Sequence, residues 1–251
     1  MSQQERKKIM LALLAEKESV SVKELAEHLG ISEITIRRDL LALSEQGLLE
    51  RTHGGAMKVE RQVLHHFEHK SDSKQAEKEH IALLAAQFIE PNDTIFLDCG
   101  STVFALCKHL KNIPHLKIIT NSLPILVELL SYKNLKINLV GGEVDTERMA
   151  VHGSIALEHI GRYHAQKAFI GVDGISLKNG LTAHSEKEAE MAKALSKQAE
   201  TTFLLCDSSK IEKESYLKFA PLSMIQYLIT DKNFDDKLKN EYEKYGVNVI
   251  Y

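Results

Sequence analysis

Two groups of residues in this 251-residue chain have types and spacings that could do chemistry. The first is a set of short polar or glycine-rich segments: Asp98-Cys99-Gly100-Ser101-Thr102, Thr120-Asn121-Ser122, Gly141-Gly142, Asp173-Gly174 and Asp207-Ser208-Ser209-Lys210. Hydroxyls and backbone N–H groups around Gly100, Ser101 and Thr102 could donate to an anion, most naturally a phosphate, and Lys210 could add positive charge. Asp98 and Asp173 could accept hydrogen bonds from hydroxyls. Phosphate donors beside hydroxyl acceptors describe a site for a sugar phosphate. Any one such segment is an ordinary turn; five with complementary chemistry favour a pocket. The second group is Ser32, Glu33, Thr35, Arg37 and Arg38, with Arg51 and His53 further on. Arginine can clamp phosphates or bond guanine with two N–H groups, and threonine can reach a phosphate or a thymine methyl.

The second group lies on a pattern that would present it outward. Leu25, Ala26 and Leu29 form the apolar face of a short helix, and Gly30 follows where a helix stop favours φ > 0. Ser32 is a candidate N-cap for the next helix, with Glu33 in its first turn. Ile36, Leu40 and Leu43 continue the apolar stripe and leave the arginines off it. Ile9, Met10, Leu13 and Leu14 supply a preceding helix, so Arg6-Lys7-Lys8 before this run does not mark a signal peptide. Gly47–Met57 predicts strand, Gly54-Gly55 turn and strand, a wing with Arg51 and His53 near its tip. The layout is a winged helix-turn-helix that places one helix in the major groove of double-stranded DNA. Residues 1–57 hold eight Lys/Arg and nine Asp/Glu, so this is not a generally basic body. The DNA expectation therefore rests on Arg37, Arg38 and the Arg51 wing.

The first group lies where strands end. From about Gln75, apolar strands alternate with helices: strands at 94–98, 117–120, 136–140, 168–170 and 202–206, helices at 77–88, 103–110, 124–130 and 186–200, and closing strands at 225–230 and 247–251. That alternation predicts an α/β domain with a mostly parallel sheet covered on both faces. Ligands in such sheets sit beyond the carboxyl ends of the strands. The expected organisation is a DNA-binding domain at 1–57, a linker at 58–74 and a sensor domain at 75–251. His65, His66 and His69 in the linker suggest a metal, but no ligand set is completed there and the solvated reading is preferred.

The chain carries 32 Lys/Arg and 35 Asp/Glu, for a net charge of −3, and nothing points to a membrane surface. No apolar run approaches the roughly 18 residues of a membrane span. Cys99, Cys107 and Cys206 form no CxxC pair, which argues for reduced thiols in a cytoplasmic protein. With neither GxGxxG nor a Walker A motif, no nucleotide cofactor is expected, and no metal either.

Ser32-Glu33-Ile34-Thr35-Ile36-Arg37-Arg38-Asp39-Leu40 followed by Arg51-Thr52-His53-Gly54-Gly55-Ala56 closely resembles the N-terminal signature of DeoR-type bacterial transcription regulators. The resemblance continues in matching order through Leu97–Thr102, Thr120–Ser122, Gly141-Gly142, Gly171-Val172-Asp173-Gly174-Ile175 and Asp207–Lys210. It implies a winged helix-turn-helix joined to a sensor domain of the ribose-phosphate-isomerase-like fold. It further implies a homodimer or homotetramer, mostly a repressor of sugar catabolism genes, released from operator DNA by a phosphorylated sugar. The alternative is a sugar-phosphate isomerase-like enzyme with an appended DNA-binding module. Isomerases of that fold show an Asp-Gly-Ala-Asp-Glu run, whereas this chain reads Asp173-Gly174-Ile175-Ser176-Leu177 and lacks the later carboxylates. Glu186, Glu188 and Glu190 read as a solvated helix face. A site that binds without turnover is therefore expected.

Overall fold

A computed structural model describes residues 3–17, 19–45, 48–52, 54–57 and 73–251. The chain divides into two compact units, Met1–Arg61 and Gln62–Tyr251. Apart from Ser73 and Lys74, the expected linker, with its three histidines, lies outside the described residues, as does His53.

The first unit contains α1 (Gln3–Lys17), β1 (Ser19–Ser21), α2 (Val22–Leu29), α3 (Glu33–Glu45), β2 (Glu50–Arg51) and β3 (Gly55–Met57). Ser21 caps α2 by accepting from the Glu24 N–H, and Gly30 ends it in the left-handed region, its N–H returning to the Ala26 carbonyl. Met10, Leu14, Leu25, Ile36, Leu40 and Leu43 close one small core. The three strands form an antiparallel sheet in the order β1-β3-β2. The wing is thus seated on a third strand, Ser19–Ser21, which three residues of Ser-Val-Ser are too short to announce by alternation.

The second unit follows the strand–helix pattern. Its strands are β4 (Thr94–Leu97), β5 (Lys117–Thr120), β6 (Lys136–Leu139), β7 (Glu143–Asp145), β8 (Ala150–His152), β9 (Ala165–Ile170), β10 (Gly174–Ser176), β11 (Gly180–Ala183), β12 (Ala199–Leu205), β13 (Leu217–Ala220), β14 (Tyr227–Ile229) and β15 (Asn248–Ile250). Its helices are α4 (Gln75–Ala86), α5 (Ser101–Ala105), α6 (Cys107–Leu110), α7 (Leu123–Leu129), α8 (Ser154–Ile160), α9 (Glu186–Lys197) and α10 (Asp236–Lys244). Seven strands form an all-parallel sheet in the order β15-β14-β12-β9-β4-β5-β6. Alternate residues feed two cores: Ile95 and Leu97 join α4 to α7 on one face, and Phe96 and Ile170 join α8, α9 and α10 on the other. The expected α/β domain with a mostly parallel sheet is what the fold shows.

Two additions lie outside the simple alternation: the β7–β8 hairpin and an antiparallel sheet β10-β11-β13. Their strands are three or four residues long, and every residue of β10 and β11 is buried, so neither shows the half-buried period of two. The helix expected at 103–110 is two short helices, α5 and α6.

The strand order creates a switch point. From β4 the chain moves outward through β5 and β6, then returns to place β9 on β4's other side. The carboxyl ends of β4 and β9 therefore diverge into different connections, leaving a crevice where open α/β sheets take ligands.

Candidate functional site

A cavity opens at that crevice, lined by Asp98, Cys99, Gly100, Ser101, Thr102, Glu147, Arg148, Gly171, Val172, Asp173, Ala183, Glu188, Ala192, Lys210 and Phe219. It brings together six of the residues expected from the sequence: Asp98, Gly100, Ser101, Thr102, Asp173 and Lys210. They come from the ends of β4, β9 and β12, three adjacent strands.

The other six expected residues do not line it: Thr120, Asn121, Ser122, Gly141 and Gly142 follow β5 and β6, which lie further toward the sheet edge, and Gly174 is drawn into β10. Thr120, Asn121 and Ser122 are fully buried. The Thr120 hydroxyl donates to the Leu97 carbonyl at 2.7 Å, and Ser122 caps α7. Asn121 donates through Nδ2 to the Val151 carbonyl at 3.2 Å and receives the Val151 N–H on its own carbonyl at 2.8 Å. These residues fasten β8. Gly141 donates its N–H to His159 Nδ1 at 3.1 Å. A side chain at Gly142 would meet the His152 carbonyl oxygen at 2.7 Å, and one at Gly174 would meet that of Lys213 at 2.5 Å, so both glycines serve close packing.

Inside the cavity Asp98, Asp173, Lys210, Arg148 and Glu188 already have partners. Asp98 accepts from the Cys99 N–H at 2.7 Å and the Gly171 N–H at 3.1 Å, tying the β4 and β9 loops together. Burial raises its pKa, and these two N–H groups oppose the rise. Asp173 accepts from the His184 N–H at 2.9 Å. Lys210, on a 3₁₀ turn after β12, donates Nζ to the Val172 carbonyl at 2.7 Å. Behind it Asp207 accepts from Lys74 Nζ at 2.8 Å. Burial works to raise the Asp207 pKa, but Lys74, Ser209 and Lys210 outweigh it and hold the carboxyl below its ordinary value. The Cys99 thiol is pushed up by burial and by Asp98 and Glu188, so it stays protonated.

Three charged residues enter unannounced, Glu147, Arg148 and Glu188. Arg148, in the β7–β8 turn, pairs through Nε with Glu188 on α9 at 3.0 Å, and both line the cavity. Glu186 and Glu190 are exposed as expected, but Glu188 is not part of a solvated face. Its spacing on α9 gave only a weak sign, being one turn before Ala192, which also lines the cavity. Nothing local marks Arg148. α5 is five residues long, so its dipole is small and cationic side chains weigh more than a helix N-terminus.

At the end of β8 lies His152, 1% exposed, with neither ring nitrogen hydrogen-bonded among the described residues. Burial lowers its pKa; Asp98 and Asp145 act the other way and Lys187 reinforces burial. An unfolded histidine titrates near about 6.5. Below that pH the unfolded chain takes up a proton that folded His152 resists, so stability should fall from pH 7.5 to pH 5.5. Thermal melts of the wild type and His152→Gln should show a smaller acid shift in the variant; equal shifts would remove His152 as the cause.

In the first unit, Arg37, Arg38 and Arg51 are exposed. Ser32 and Thr35 bring their hydroxyls within 3.0 Å of each other, and Glu33 pairs with Arg37 at 3.4 Å, an exposed contact of little strength. Ile34 was not anticipated. It is 81% exposed on α3, in the same outward-facing turn as Glu33 and one turn before Arg37 and Arg38. Its offset of two from buried Ile36 is the signal that it must point away from the core. Asp39, beside the arginines, is buried and bound to Arg6.

Residues 6–62 match a family model described as the DeoR-like helix-turn-helix domain, and residues 73–232 one described as the DeoR C terminal sensor domain. The chain is similar to the HTH-type transcriptional repressor GlcR of Bacillus subtilis, with 32% identity covering 100% of this chain and 96% of that protein. It is also similar to the lactose phosphotransferase system repressor of Streptococcus mutans, with 35% identity covering 95% and 96%. Among solved structures, ribose 5-phosphate isomerase A from Methanocaldococcus jannaschii is similar at 18% identity over 55% of each chain, with a TM-score of 0.41. A winged helix, a parallel-sheet unit with a cavity at its switch point, and full-length likeness to these regulators converge: the chain belongs to the DeoR family of transcription regulators.

Proposed function

We propose that this chain represses sugar catabolism genes and leaves its operator when a phosphorylated sugar fills the cavity. The observation that carries this is the meeting of Ser101, Thr102, Arg148 and Lys210 with Asp98 and Asp173 in one cavity of a family regulator. The first four suit a phosphate, and the carboxylates suit sugar hydroxyls. The names of GlcR and the lactose repressor support control of sugar genes. Ser32, Glu33, Thr35, Arg37, Arg38, Arg51 and His53 are proposed to face operator DNA, joined by Ile34, which would meet a thymine methyl. Residues 1–57 act as the DNA-binding domain, 58–74 as the linker and 75–251 as the sensor. Two copies in a homodimer or homotetramer would set two α3 helices in successive major grooves, about 34 Å apart. The effector can weaken operator binding only by its differential affinity for two arrangements, roughly 5–150-fold in typical couplings.

Turnover is not part of this reading. Asp98 and Asp173 receive backbone N–H groups and Glu188 is paired with Arg148, so three of the four lining carboxylates are engaged rather than poised as the base an enediol route requires. Isomerase activity on pentose or hexose phosphates that disappears in Asp173→Ala would overturn it. The regulatory reading is tested by titrating a sugar-phosphate panel into full-length protein bound to a duplex selected from a random library. Lys210→Ala should keep wild-type DNA affinity and need about 10–100-fold more of the releasing sugar phosphate, the range for losing one charged hydrogen bond. Release of the wild type by no panel member would count against an effector site.

A further inference from the structure

The cavity lining carries four carboxylates, Asp98, Glu147, Asp173 and Glu188, against two cations, Arg148 and Lys210. An anion entering it needs a cation that can be released to it. Lys210 gives one of its three N–H donors to the Val172 carbonyl and can turn another toward an anion. The Arg148–Glu188 pair is different. The two side chains are 21% and 20% exposed, open enough for a ligand to reach and shielded enough for the charges to matter. A guanidinium offers five N–H donors in a planar fork, more than one carboxylate can occupy, and a phosphate presents three acceptor oxygens with greater charge.

The setting of Arg148 also suits exchange. It lies in the turn between β7 and β8, with its N–H on Asp145 Oδ1 at 3.0 Å. The next residue, Met149, has φ of 52°, a region non-glycine residues rarely adopt, and its carbonyl accepts the Leu123 N–H at 2.9 Å. β8 is fastened to the β5–α7 loop by the two Asn121–Val151 bonds and a Ser122–Ala150 bridge. The turn end of the hairpin is thereby anchored to the β5–α7 loop, and the guanidinium is delivered to the cavity from a fixed root. This gives Thr120-Asn121-Ser122 a part in the site without contact: they position Arg148.

We propose that Arg148 is the clamp for the effector's phosphate and that Glu188 is its internal placeholder, displaced from the guanidinium when the phosphate binds. The proposal rests on the reading of this cavity as a sugar-phosphate site and names the group that recognises the anion. Once released, the Glu188 carboxylate can accept hydrogen bonds from the sugar's hydroxyls, so one ligand satisfies both members of the pair.

The test is calorimetric titration of full-length protein with inorganic phosphate at low ionic strength, comparing wild type, Arg148→Ala, Arg148→Lys and Glu188→Gln. Arg148→Ala should raise the phosphate Kd at least about tenfold, and Arg148→Lys should recover part of that loss through charge without the fork. Glu188→Gln should lower the Kd severalfold, since a competitor and a negative charge are gone. Unchanged phosphate affinity in Arg148→Ala would overturn the clamp. Weaker binding in Glu188→Gln would overturn the placeholder and make the pair a structural brace. No phosphate binding by the wild type would remove the anion site itself, a failure distinct from wild-type binding that ignores Arg148.

Discussion

Asp39→Asn should destabilise the winged helix, lowering its melting transition and weakening DNA binding at elevated temperature, while ligand binding by the second unit persists. Asp39 is 1% exposed, accepts from Arg6 Nε at 2.7 Å and from Gln3 Nε2 at 3.0 Å, and so ties α3 to α1. Burial alone would raise its pKa, but the bonds from Arg6 and Gln3 outweigh this and hold it below the ordinary value of 3.8. The ionised carboxylate is therefore what the fold uses, and that contribution is lost only as pH falls below about 3.8 through the folded pKa. Asparagine keeps the shape but removes the Asp39 negative charge from beside the Arg6 guanidinium, whose side chain is 16% exposed. Breaking a buried pair from one side costs about 3 kcal/mol or more. In a unit this small, stability lies toward the low end of the usual range of about 5–15 kcal/mol. A loss of that size corresponds to a melting decrease of roughly 12–24 °C. Scanning calorimetry of the full chain should show one transition moved down and the other in place. A shift of the first transition under about 4 °C would mean the pair contributes no more than a surface contact.

The second large effect is on DNA affinity. Arg37→Ala and Arg38→Ala should each weaken binding to a selected duplex about tenfold, and the double variant about a hundredfold, with phosphate affinity unchanged. Both side chains are exposed on α3, and Arg37 makes an exposed pair with Glu33 at 3.4 Å, so neither substitution should disturb the fold. The salt dependence separates their roles. A phosphate clamp lowers the slope of log K against log salt by about one per arginine removed, while a base reader relaxes discrimination at one position. Fluorescence anisotropy at several salt concentrations measures both. A double variant within threefold of wild type would place the DNA contacts elsewhere. The eight basic and nine acidic residues of positions 1–57 sharpen this expectation, because they provide no net positive charge to compensate.

Much of the first unit was legible residue by residue. The Gly30 stop, the Ile36/Leu40/Leu43 stripe and the two-strand wing follow rules that act over three or four positions. The same holds for the parallel strands, whose apolar runs end at polar turns. Short elements were not legible, because three residues of β1 or β10 cannot display a period. Asp39 stands in the sequence only as one residue of the Ser32–Leu40 signature; its burial goes with Arg6, 33 positions earlier.

At the cavity the division is sharper. The types of groups available at strand ends, hydroxyls, glycines, Asp98, Asp173 and Lys210, are written in the local sequence. Which strand ends meet is not, since that depends on β9 inserting beside β4 and leaving β5 and β6 outward. The fold placed Thr120, Asn121 and Ser122 behind the hairpin as anchors, and it joined Arg148 to Glu188 across 40 positions of chain. Helix caps and hydrophobic periods are local consequences of backbone geometry, so the sequence by itself determined the elements and the chemistry at their ends. Neighbourhood in a parallel sheet is set by non-local crossovers, so only the tertiary structure decided which of those ends share a cavity and which guanidinium reaches into it.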